Sequence, residues 1–297
     1  MSEPRVHGVL VTYRRPDDLR RSLDALARQT RALDTLHVVN NDPEAPLVVE
    51  PYLGTTEVVV LETGDNLGPA GGIASGMEAA LARADGSDVL LVLDDDDPLV
   101  DDRVVEDLLG AVGTATGERS RLGGVGLQGA TLDRRRGRLH RSPATSAGIV
   151  DYLMSNWAPM YTVTALRQVG VFRRDLFFGF DDLEFGLRLT NAGYRVEAHP
   201  MGRAEPQPRA RASLGFRRAP WRTYYTTRNL VVIFAAHASL WLAARTAVTL
   251  GIAKPIANLV RAPRSSRQQV WMSVRAVLDA ILGRMGRTVA PVAAKTS

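Results

Sequence analysis

The sequence predicts an α/β fold with a Rossmann-like, mostly parallel sheet flanked by helices, followed by a basic helical extension at the C-terminus. Apolar strand-like runs alternate with amphipathic helix-like segments in the first part of the chain, and such a βαβ rhythm is typical of parallel sheets. Hydrophobic residues make up 45% of the 297 residues, enough to bury the core of one large domain with an appendage. The extension is set apart by its charge, because residues 203–297 contain 16 Lys and Arg against two acids.

Each element of the first half follows from the local pattern of apolar residues. Residues 6–13 (VHGVLVTY) predict a buried strand, and residues 16–29 place leucines on one face of a helix. The same patterns predict strands over 36–39, 58–61 and 89–93 and helices over 70–84 and 102–112. Ligands of open parallel sheets bind beyond the carboxyl ends of the strands. The acids that follow residue 93 therefore lie where a ligand is expected.

The second half is less regular. Residues 123–130 predict a strand, 132–139 a charged excursion around Gly137, and 163–169 a short helix. The stretch FFGFDDLEFGLRLTNAGYRV predicts an apolar entry, a helix that begins at two aspartates, and a strand after a glycine stop. A Pro- and Arg-rich segment follows and is expected to be a loop. We therefore divide the chain into an α/β domain, residues 1–215, and a helical basic region, residues 216–297.

The basic region suggests a membrane surface as a partner. A spanning helix over 230–253 is the weaker alternative, because His237 and Arg245 would be costly at the centre of a bilayer. Between residues 267 and 287, apolar side chains recur at helical spacing with arginines beside them, as an interfacial helix on anionic lipid requires. The other interpretation is a helix packed on the domain. A chain that ends near Ser265 is expected to stay folded.

Composition limits the compartment and the chemistry. The chain has no cysteine, which excludes disulfides and thiolate metal sites. The N-terminal residues lack the apolar core of a signal peptide. We expect a cytoplasmic protein, peripheral on the inner face of the membrane, with no nucleic-acid partner.

The stretch LLVLDDDD ends an apolar run with four carboxylates, Asp94 to Asp97. Neighbouring like charges are costly unless a cation intervenes. An EF-hand is excluded, because Leu99 and Val105 occupy the positions that need Gly and Glu. A helix cap would use a single acid, whereas Mn²⁺ or Mg²⁺ bound with a diphosphate uses one or two carboxylates. A divalent metal site is therefore the favoured interpretation over solvated acids.

Two other stretches carry weaker signals. The glycine-rich NLGPAGGIASG opens a helix whose N–H groups could meet a phosphate or ribose, although a tight turn explains it equally well. Asp181, Asp182 and Glu184 could simply favour the positive end of their helix. The apolar FFGF before them could also raise the pKa of a carboxyl and make it a general base.

Taken together, these stretches resemble a family. VTYRRPDDLRRSLDALARQT, VVNND, NLGPAGGIASGM, LVLDDDD, NWAP, FDDLEFGLRLTNAGY and YYTTRNLVV occur in this order. The order resembles the inverting nucleotide-sugar glycosyltransferases of family 2, with the GT-A fold. It is most similar to their galactofuranosyltransferase and rhamnosyltransferase branch from bacterial cell-wall synthesis. The resemblance covers residues 6–237.

The resemblance implies roles for individual residues. Asp182 would be the general base that takes the proton of the acceptor hydroxyl. Asp94 and Asp96 would form the DXD metal site for Mn²⁺ or Mg²⁺. The donor nucleotide and its diphosphate would be contacted by Thr12, Arg14, Asn41, Asp42, Asp65, Asn66, Asp94 and Asp95. The acceptor side would include Asn156, Trp157, Asp181 and Arg228.

Two departures from the family pattern stand out. Asn40 occupies a position where the family usually has Asp, which changes the expected contact with the nucleotide base. The family's additional metal-binding His is missing from its usual place, and His199 lies well before it. Glu205 lies near that place and would serve as a hard oxygen ligand instead.

The resemblance implies a metal-dependent, inverting glycosyltransferase. It would move a galactofuranose- or rhamnose-like sugar from a UDP- or dTDP-linked donor to a lipid-linked or cell-envelope glycan acceptor. Two other classes stay open at this point. The chain could be a non-catalytic, membrane-associated sugar-nucleotide-binding subunit, since fold does not guarantee chemistry, or a nucleotidyltransferase that releases pyrophosphate.

Overall fold

The computed structural model describes residues 3–99, 101–115, 121–143, 145–200, 219–261 and 263–291. These residues form twelve strands: β1 Val6–Thr12, β2 Thr35–Asn40, β3 Tyr52–Leu53, β4 Thr56–Glu62, β5 Val89–Asp94, β6 Leu122–Gly126, β7 Gly129–Asp133, β8 Arg138–Arg141, β9 Gly148–Ile149, β10 Tyr152–Leu153, β11 Met160–Thr162 and β12 Arg195–Ala198. Nine of them form one sheet in the spatial order β3, β4, β2, β1, β5, β11, β6, β12, β9. Strands β10, β7 and β8 form a small second sheet.

The helices surround the main sheet and continue into the C-terminal region. They are α1 Pro16–Ala27, α2 Gly68–Leu81, α3 Val104–Ala115, α4 Val163–Val169, α5 Asp181–Asn191, α6 Pro220–His237, α7 Leu240–Val248, α8 Lys254–Arg261 and α9 Pro263–Ile281. A short 3₁₀ turn, Arg174–Leu176, precedes α5, and a π-turn, Thr249–Ala253, joins α7 to α8. The predicted α/β class is confirmed.

The parallel part of the sheet brings three strand ends together. Strands β4, β2, β1 and β5 are parallel neighbours, whereas β11 runs antiparallel to both β5 and β6. In this register Thr12 lies opposite Asn40 and Val11 lies opposite Asp94. The polar residues that follow β1, β2 and β5 therefore meet at one edge of the sheet.

One predicted strand was wrong. The run over 123–130 is divided at Leu127 and Gln128 into β6, in the main sheet, and β7, in the small sheet. All of β6 and the first two residues of β7 are buried, so periodicity alone could not show that the chain changes sheets there.

Two glycines of the predicted phosphate-contacting stretch have a packing role. A Cβ on Gly76 would lie 2.4 Å from a methyl of Val9, and one on Gly72 would lie 2.6 Å from a methyl of Val11. Real Cβ atoms do not approach other atoms so closely, so these glycines let α2 lie directly on β1. Gly68, at the start of α2, has φ +70° and passes against the backbone of Phe177. The glycine pattern is thus explained in large part by close contact between a helix and the sheet.

The C-terminal helices pack on the body. The apolar stretch predicted as an alternative spanning helix is interrupted, since α6 ends at His237 and α7 begins at Leu240. None of the helices in the described residues combines the length and apolar character needed to cross a bilayer. Ser273, Ala276 and Asp279 of α9 are buried. The helix therefore has a face that belongs to the protein interior.

The residues after α9 are tied to α6. The hydroxyl of Tyr224 donates to Oδ2 of Asp279 at 2.7 Å, and that of Tyr225 donates to the carbonyl of Val289 at 2.7 Å. Nη1 of Arg228 donates to the carbonyl of Gly286 at 2.8 Å. All three α6 side chains are fully buried, so these hydrogen bonds have no water to replace them.

We expect a chain that ends at Ser265 to be much less stable than the full chain, contrary to the expectation from the sequence alone. The truncation removes acceptors of Tyr224, Tyr225 and Arg228, and each buried donor left unpaired costs about 1–3 kcal/mol. Urea unfolding followed by circular dichroism measures the difference. A chain that ends at Pro291 is the matched control and should unfold with the full chain. Equal urea midpoints for the chain that ends at Ser265 and the full chain would contradict a stabilising role for the contacts between α6 and the residues after 265.

Candidate active site

A cavity of about 480 Å³ opens at the carboxyl ends of strands β1, β2 and β5. Its walls come from the strand ends, the loop before α5 and the C-terminal region. A larger cavity of about 800 Å³ lies at the opposite edge of the sheet and includes Asp88. That carboxylate is already bonded to Arg5 and His7. The smaller cavity is the one that several predicted site residues line: Thr12, Asn41, Asn66, Asp94, Asp95, Asp96 and Asp181.

Three of the four successive acids form a compact carboxylate cluster. One carboxylate oxygen from each of Asp94, Asp95 and Asp96 lies within 4.8 Å of the others. Asp95 is buried and accepts hydrogen bonds from Oγ1 of Thr12 at 2.9 Å and Nη1 of Arg15 at 3.1 Å. Burial raises the pKa of Asp95 above its ordinary value. Asp94 and Asp96 are only half-buried, so these two carboxylates are the better placed to hold a cation.

Arg15 is a site residue that the sequence reasoning missed. Besides its bond to Asp95, its Nη1 lies 2.8 Å from Oδ2 of Asp96, and the residue lines the cavity. The sequence reasoning placed Arg14 in the site, but Arg14 binds both carboxylate oxygens of Asp42, at 3.1 and 3.2 Å. That pairing lowers the pKa of Asp42. The only sequence signal for Arg15 is its position before Pro16, at the junction of strand end and helix.

The predicted nucleotide side is partly assembled around the start of α2. Asn41 is buried, and its Nδ2 donates to the carbonyl of Gly68 at 2.9 Å. Its Oδ1 has no hydrogen-bond partner in the described part of the chain. Asn66 lines the cavity and accepts from the N–H of Gly68 at 2.9 Å. Asp65 lies at the rim, where Nη1 of Arg287 contacts it at 3.1 Å. An unpaired buried acceptor beside a cavity suits a donor group of a ligand.

Asn40, the first departure from the family pattern, is engaged inside the protein. Its Nδ2 donates to the carbonyl of Ala45 and to Oε2 of Glu62, both at 2.8 Å. These bonds hold the turn after β2 against β4. Asn40 does not line the cavity. The second departure, Glu205, lies outside the described residues.

The loop before α5 is held in an uncommon conformation. Phe177, Gly179 and Phe180 have φ values of 62°, 79° and 65°, and left-handed conformations of non-glycine residues cost on the order of 1–3 kcal/mol each. Nδ2 of Asn229 donates to the carbonyls of Leu176, Phe178 and Gly179 at 2.9–3.1 Å. The strained loop is thus fixed by hydrogen bonds from α6.

Arg228, predicted on the acceptor side, is directed into the protein and does not line the cavity. Its guanidinium is fully buried and donates to backbone carbonyls on both sides, those of Leu176 at 2.9 Å and Gly286 at 2.8 Å. Nε donates to Oδ1 of Asn229 at 3.0 Å. Arg228 therefore braces the loop before α5 and the segment after α9 from within.

Asp181 and Asp182 begin α5 directly after this loop. Asp181 lines the cavity and is 6% exposed, and Asp182 is half-buried. Burial raises the pKa of Asp181 to about 7 and that of Asp182 to about 6. The value is lower for Asp182 because it accepts hydrogen bonds from the N–H groups of Leu183 at 2.7 Å and Ser155 at 3.4 Å. The ionised form of Asp182 is therefore stabilised by two backbone N–H groups.

The remaining predicted residues lie around this pair. Glu184 is buried, and although burial opposes ionisation, hydrogen bonds from His237 and Arg188 lower its pKa. Glu184 therefore has a structural role, linking α5 to α6. Ser155 lines the cavity, whereas the next two residues, Asn156 and Trp157, are half-buried beyond it. The Trp157 side chain packs against the main core.

Solved structures share this architecture. Mannosyltransferase PcManGT from Pyrobaculum calidifontis, in complex with GDP-Man and Mn²⁺, matches 95% of this chain and 88% of its own, with a TM-score of 0.52 and 16% identity. S. aureus TarS 1-349 in complex with UDP-GlcNAc matches 93% of this chain and 81% of its own, with a TM-score of 0.54 and 16% identity. The chain therefore has the GT-A fold of these structures, with acids at the ends of its parallel strands.

Sequence comparison gives the family. The family model "Glycosyl transferase family 2" matches residues 9–116. The galactofuranosyltransferase GlfT1 of Mycobacterium tuberculosis is 33% identical over 253 residues, which cover 75% of this chain and 80% of GlfT1. GlfT1 of Mycolicibacterium smegmatis is 42% identical over 110 residues, 37% of this chain and 35% of its own. The chain belongs to the family 2 glycosyltransferases, as its motifs predicted.

We expect Asp181→Asn to stabilise the protein at high pH and not at low pH. A carboxyl whose pKa is raised on folding favours the folded state at low pH, and this contribution is lost as pH rises from the ordinary value of 3.8 to about 7. At pH 8 the variant should gain on the order of 2 kcal/mol over the wild type, since a pKa change of one corresponds to about 1.36 kcal/mol and Asp182 shares the effect.

The measurement is the unfolding free energy of both proteins at pH 4.5 and pH 8. Asp17→Asn is the matched control, because it replaces an exposed carboxyl in the first turn of α1. The control should show no gain at pH 8. A variant no more stable than the wild type at pH 8 would show that Asp181 carries its charge there at no cost.

Proposed function

We propose that this glycosyltransferase is inverting and divalent-metal-dependent, and that it moves a galactofuranose- or rhamnose-like sugar from a UDP- or dTDP-linked donor to a lipid-linked or cell-envelope glycan acceptor. The observation that carries the proposal is that one cavity is lined by two separate acidic groups, Asp94 to Asp96 and Asp181, and that Asp182, next to Asp181, accepts a hydrogen bond from the lining residue Ser155. The Asp94 to Asp96 group suits a metal–diphosphate and the Asp181–Asp182 pair a proton acceptor.

Sequence likeness supports galactofuranose as the first sugar to test. The 33% identity to GlfT1 extends over three-quarters of this chain, beyond the 9–116 segment that the family model matches. It therefore includes residues on the acceptor side of the cavity as well as the donor side. UDP is the matching nucleotide. We place this nucleotide at Asn66, which lines the cavity, and at the unpaired Oδ1 of Asn41.

The carboxylate cluster fits Mn²⁺ or Mg²⁺. Its ligands are hard oxygens that lie close together on one strand end, as these ions prefer. Asp94 and Asp96 would hold the ion, with Asp95 fixed behind them by Thr12 and Arg15. A bound ion would offset the charge on the leaving diphosphate. Glu205 stays our proposed additional ligand.

Asp182 is our proposed general base. The acceptor oxygen attacks the anomeric carbon from the face opposite the diphosphate, and its proton passes to the Asp182 carboxylate. Burial raises the pKa of this carboxyl and keeps it basic, while the N–H groups of Leu183 and Ser155 orient it. Asp181, with the higher pKa, stays protonated more of the time. The proximity of two carboxyls thereby assigns one to proton acceptance and the other to acceptor binding.

We expect the purified chain to release UDP from UDP-galactofuranose in the presence of a polyprenyl-linked acceptor and Mn²⁺, and to lose this activity with EDTA.

Asp182→Asn should lower the transfer rate by about 10²–10⁴-fold with nearly unchanged donor affinity, since a general base acts in the transition state. The wild-type rate should rise with pH through about 6 and then level off, because only the ionised carboxylate of Asp182 accepts a proton.

A donor panel with dTDP-rhamnose identifies the sugar. Asp181→Asn, on the neighbouring carboxyl, is the matched variant and should retain more activity than Asp182→Asn. The reverse order would move the base by one residue. Pyrophosphate in place of UDP, or donor binding without transfer to any acceptor, would contradict the proposed reaction.

The C-terminal helices support a further part of the proposal, peripheral binding to anionic membrane at the cytoplasmic face. α9 exposes Trp271, Val274, Leu278 and Ile281 on the side opposite its buried face. The helices before it expose another apolar set: Leu240, Trp241, Val248, Ile252, Ile256 and Val260. Residues 219–291 contain ten Lys and Arg and the single acid Asp279. An apolar face with basic neighbours is the pattern of interfacial helices.

We expect the full chain to float with anionic liposomes and the double variant Trp271→Gln/Leu278→Gln to float at least about tenfold less, because burying each such side chain is worth about 1.5–3 kcal/mol. Added salt should weaken binding of both proteins by screening the basic residues. Val48→Gln is the control, since Val48 is 93% exposed on the body of the protein. Equal flotation of the double variant and the wild type would contradict the membrane surface.

A further inference from the structure

The start of α6 contributes a cation to the cavity. Trp221 and Arg222 line it together with residues of the loop before α5. The guanidinium of Arg222 lies over two aromatic rings, 5.1 Å from the ring centroid of Trp221 and 5.4 Å from that of Phe178. Such contacts hold a guanidinium in place. Its N–H groups, which lie in the plane of the guanidinium, remain available for a ligand.

The aromatic support is itself anchored. The rings of Phe178 and Trp221 meet edge to face at 4.8 Å, and the ring of Tyr225 packs on Phe177 at 5.0 Å. Tyr225 is in turn bonded to Val289. The first turn of α6 therefore has a defined position relative to the cavity, and Arg222 does not depend on a flexible loop for its placement.

Arg222 differs from the other cavity arginine in its partners. Arg15 binds Asp95 and Asp96. Within the described residues, no carboxylate pairs with Arg222 and no acceptor takes a hydrogen bond from its guanidinium. A cation fixed on aromatic rings, facing a cavity and without an acidic partner there, is complementary to an anion.

A cation here would also favour a phosphate in the cavity, in addition to the proposed metal ion. The cavity walls carry Asp94, Asp95, Asp96 and Asp181, which would repel a diphosphate. Arg15 is already committed to two of these acids. A guanidinium offers paired N–H donors that match two phosphate oxygens.

We propose that Arg222 binds a phosphate group in this cavity. The inference rests on the proposed function for the source of the phosphate, which is either the diphosphate of the sugar-nucleotide donor or the phosphate of a lipid-linked acceptor. In both cases Arg222 contacts the substrate directly, and the C-terminal region supplies a binding residue to the site.

The experiment compares Arg222→Gln with Arg245→Gln. Arg245 is a matched control, because it also stacks on a tryptophan, Trp241 at 5.4 Å, but lies outside the cavity. Calorimetric titrations with UDP, uridine and inorganic pyrophosphate, with Mn²⁺ present, measure the phosphate contribution. We expect Arg222→Gln to weaken binding of UDP and pyrophosphate about tenfold or more, as loss of a charged hydrogen bond does, with uridine affinity unchanged. Arg222→Lys should restore part of the loss, and Arg245→Gln should match the wild type.

Kinetic assays with two different acceptors distinguish the donor diphosphate from the acceptor phosphate as the group that Arg222 binds. If the phosphate belongs to the acceptor, Arg222→Gln leaves UDP affinity unchanged but raises KM for a phosphate-bearing lipid acceptor and not for a phosphate-free glycan. Thermal melting confirms that the variant is folded. Unchanged affinity for UDP and pyrophosphate together with unchanged KM values would overturn the inference. A wild-type chain that transfers no sugar would instead count against the proposed function, and its pyrophosphate titration would still decide the role of Arg222.

Discussion

The buried hydrogen bonds from Arg228 and Asn229 to the backbone of the loop before α5 are the constraint on which the site depends. Phe177 and Phe180 hold left-handed conformations that a free loop would abandon. The α6 donors fix the carbonyls around them. From this loop, the carbonyl of Phe177 contacts the start of α2, its neighbour Phe178 supports Trp221, and the next residues begin α5. The acidic pair, the glycine-rich helix and the cation on α6 are thus positioned by one braced segment.

Charge compensation explains how the cavity tolerates its acids. Asp95 is neutralised from behind by Arg15, and its burial raises its pKa. Asp181 has a raised pKa because it is buried and lies beside the carboxyl of Asp182. The acids on the two sides of the cavity are therefore accommodated differently. Asp95 forms an ion pair with Arg15, whereas the raised pKa of Asp181 favours its protonated form. A ligand that brings both a cation and an anion is complementary to this arrangement.

The sequence predicted those parts of the site that depend on local pattern. An apolar run ending in acids predicted both β5 and the position of Asp94 and Asp96 at its end, and the FFGFDD stretch predicted the start of α5. It could not predict contacts between distant segments. Arg228 was assigned to the acceptor side through the family resemblance of its motif, whereas its hydrogen-bond partners Leu176 and Gly286 lie 52 and 58 residues away in the chain. Arg14 and Arg15 are adjacent, and only the geometry of the turn decides that Arg15 contacts Asp95 and Asp96 while Arg14 contacts Asp42.

The two interpretations of the last helix turn out to describe its two sides. Ala276 and Asp279 belong to the interior, while Trp271 and Leu278 are exposed. A helix that packs on α6 with one face cannot leave the body to insert in lipid, so membrane binding through its other face would bring the whole domain to the surface. Because α6 also carries Arg222 into the cavity, the proposed membrane surface and the substrate cavity are built on the same packed helices. Such a connection would hold the cavity at a fixed distance from the bilayer, as a lipid-linked acceptor requires.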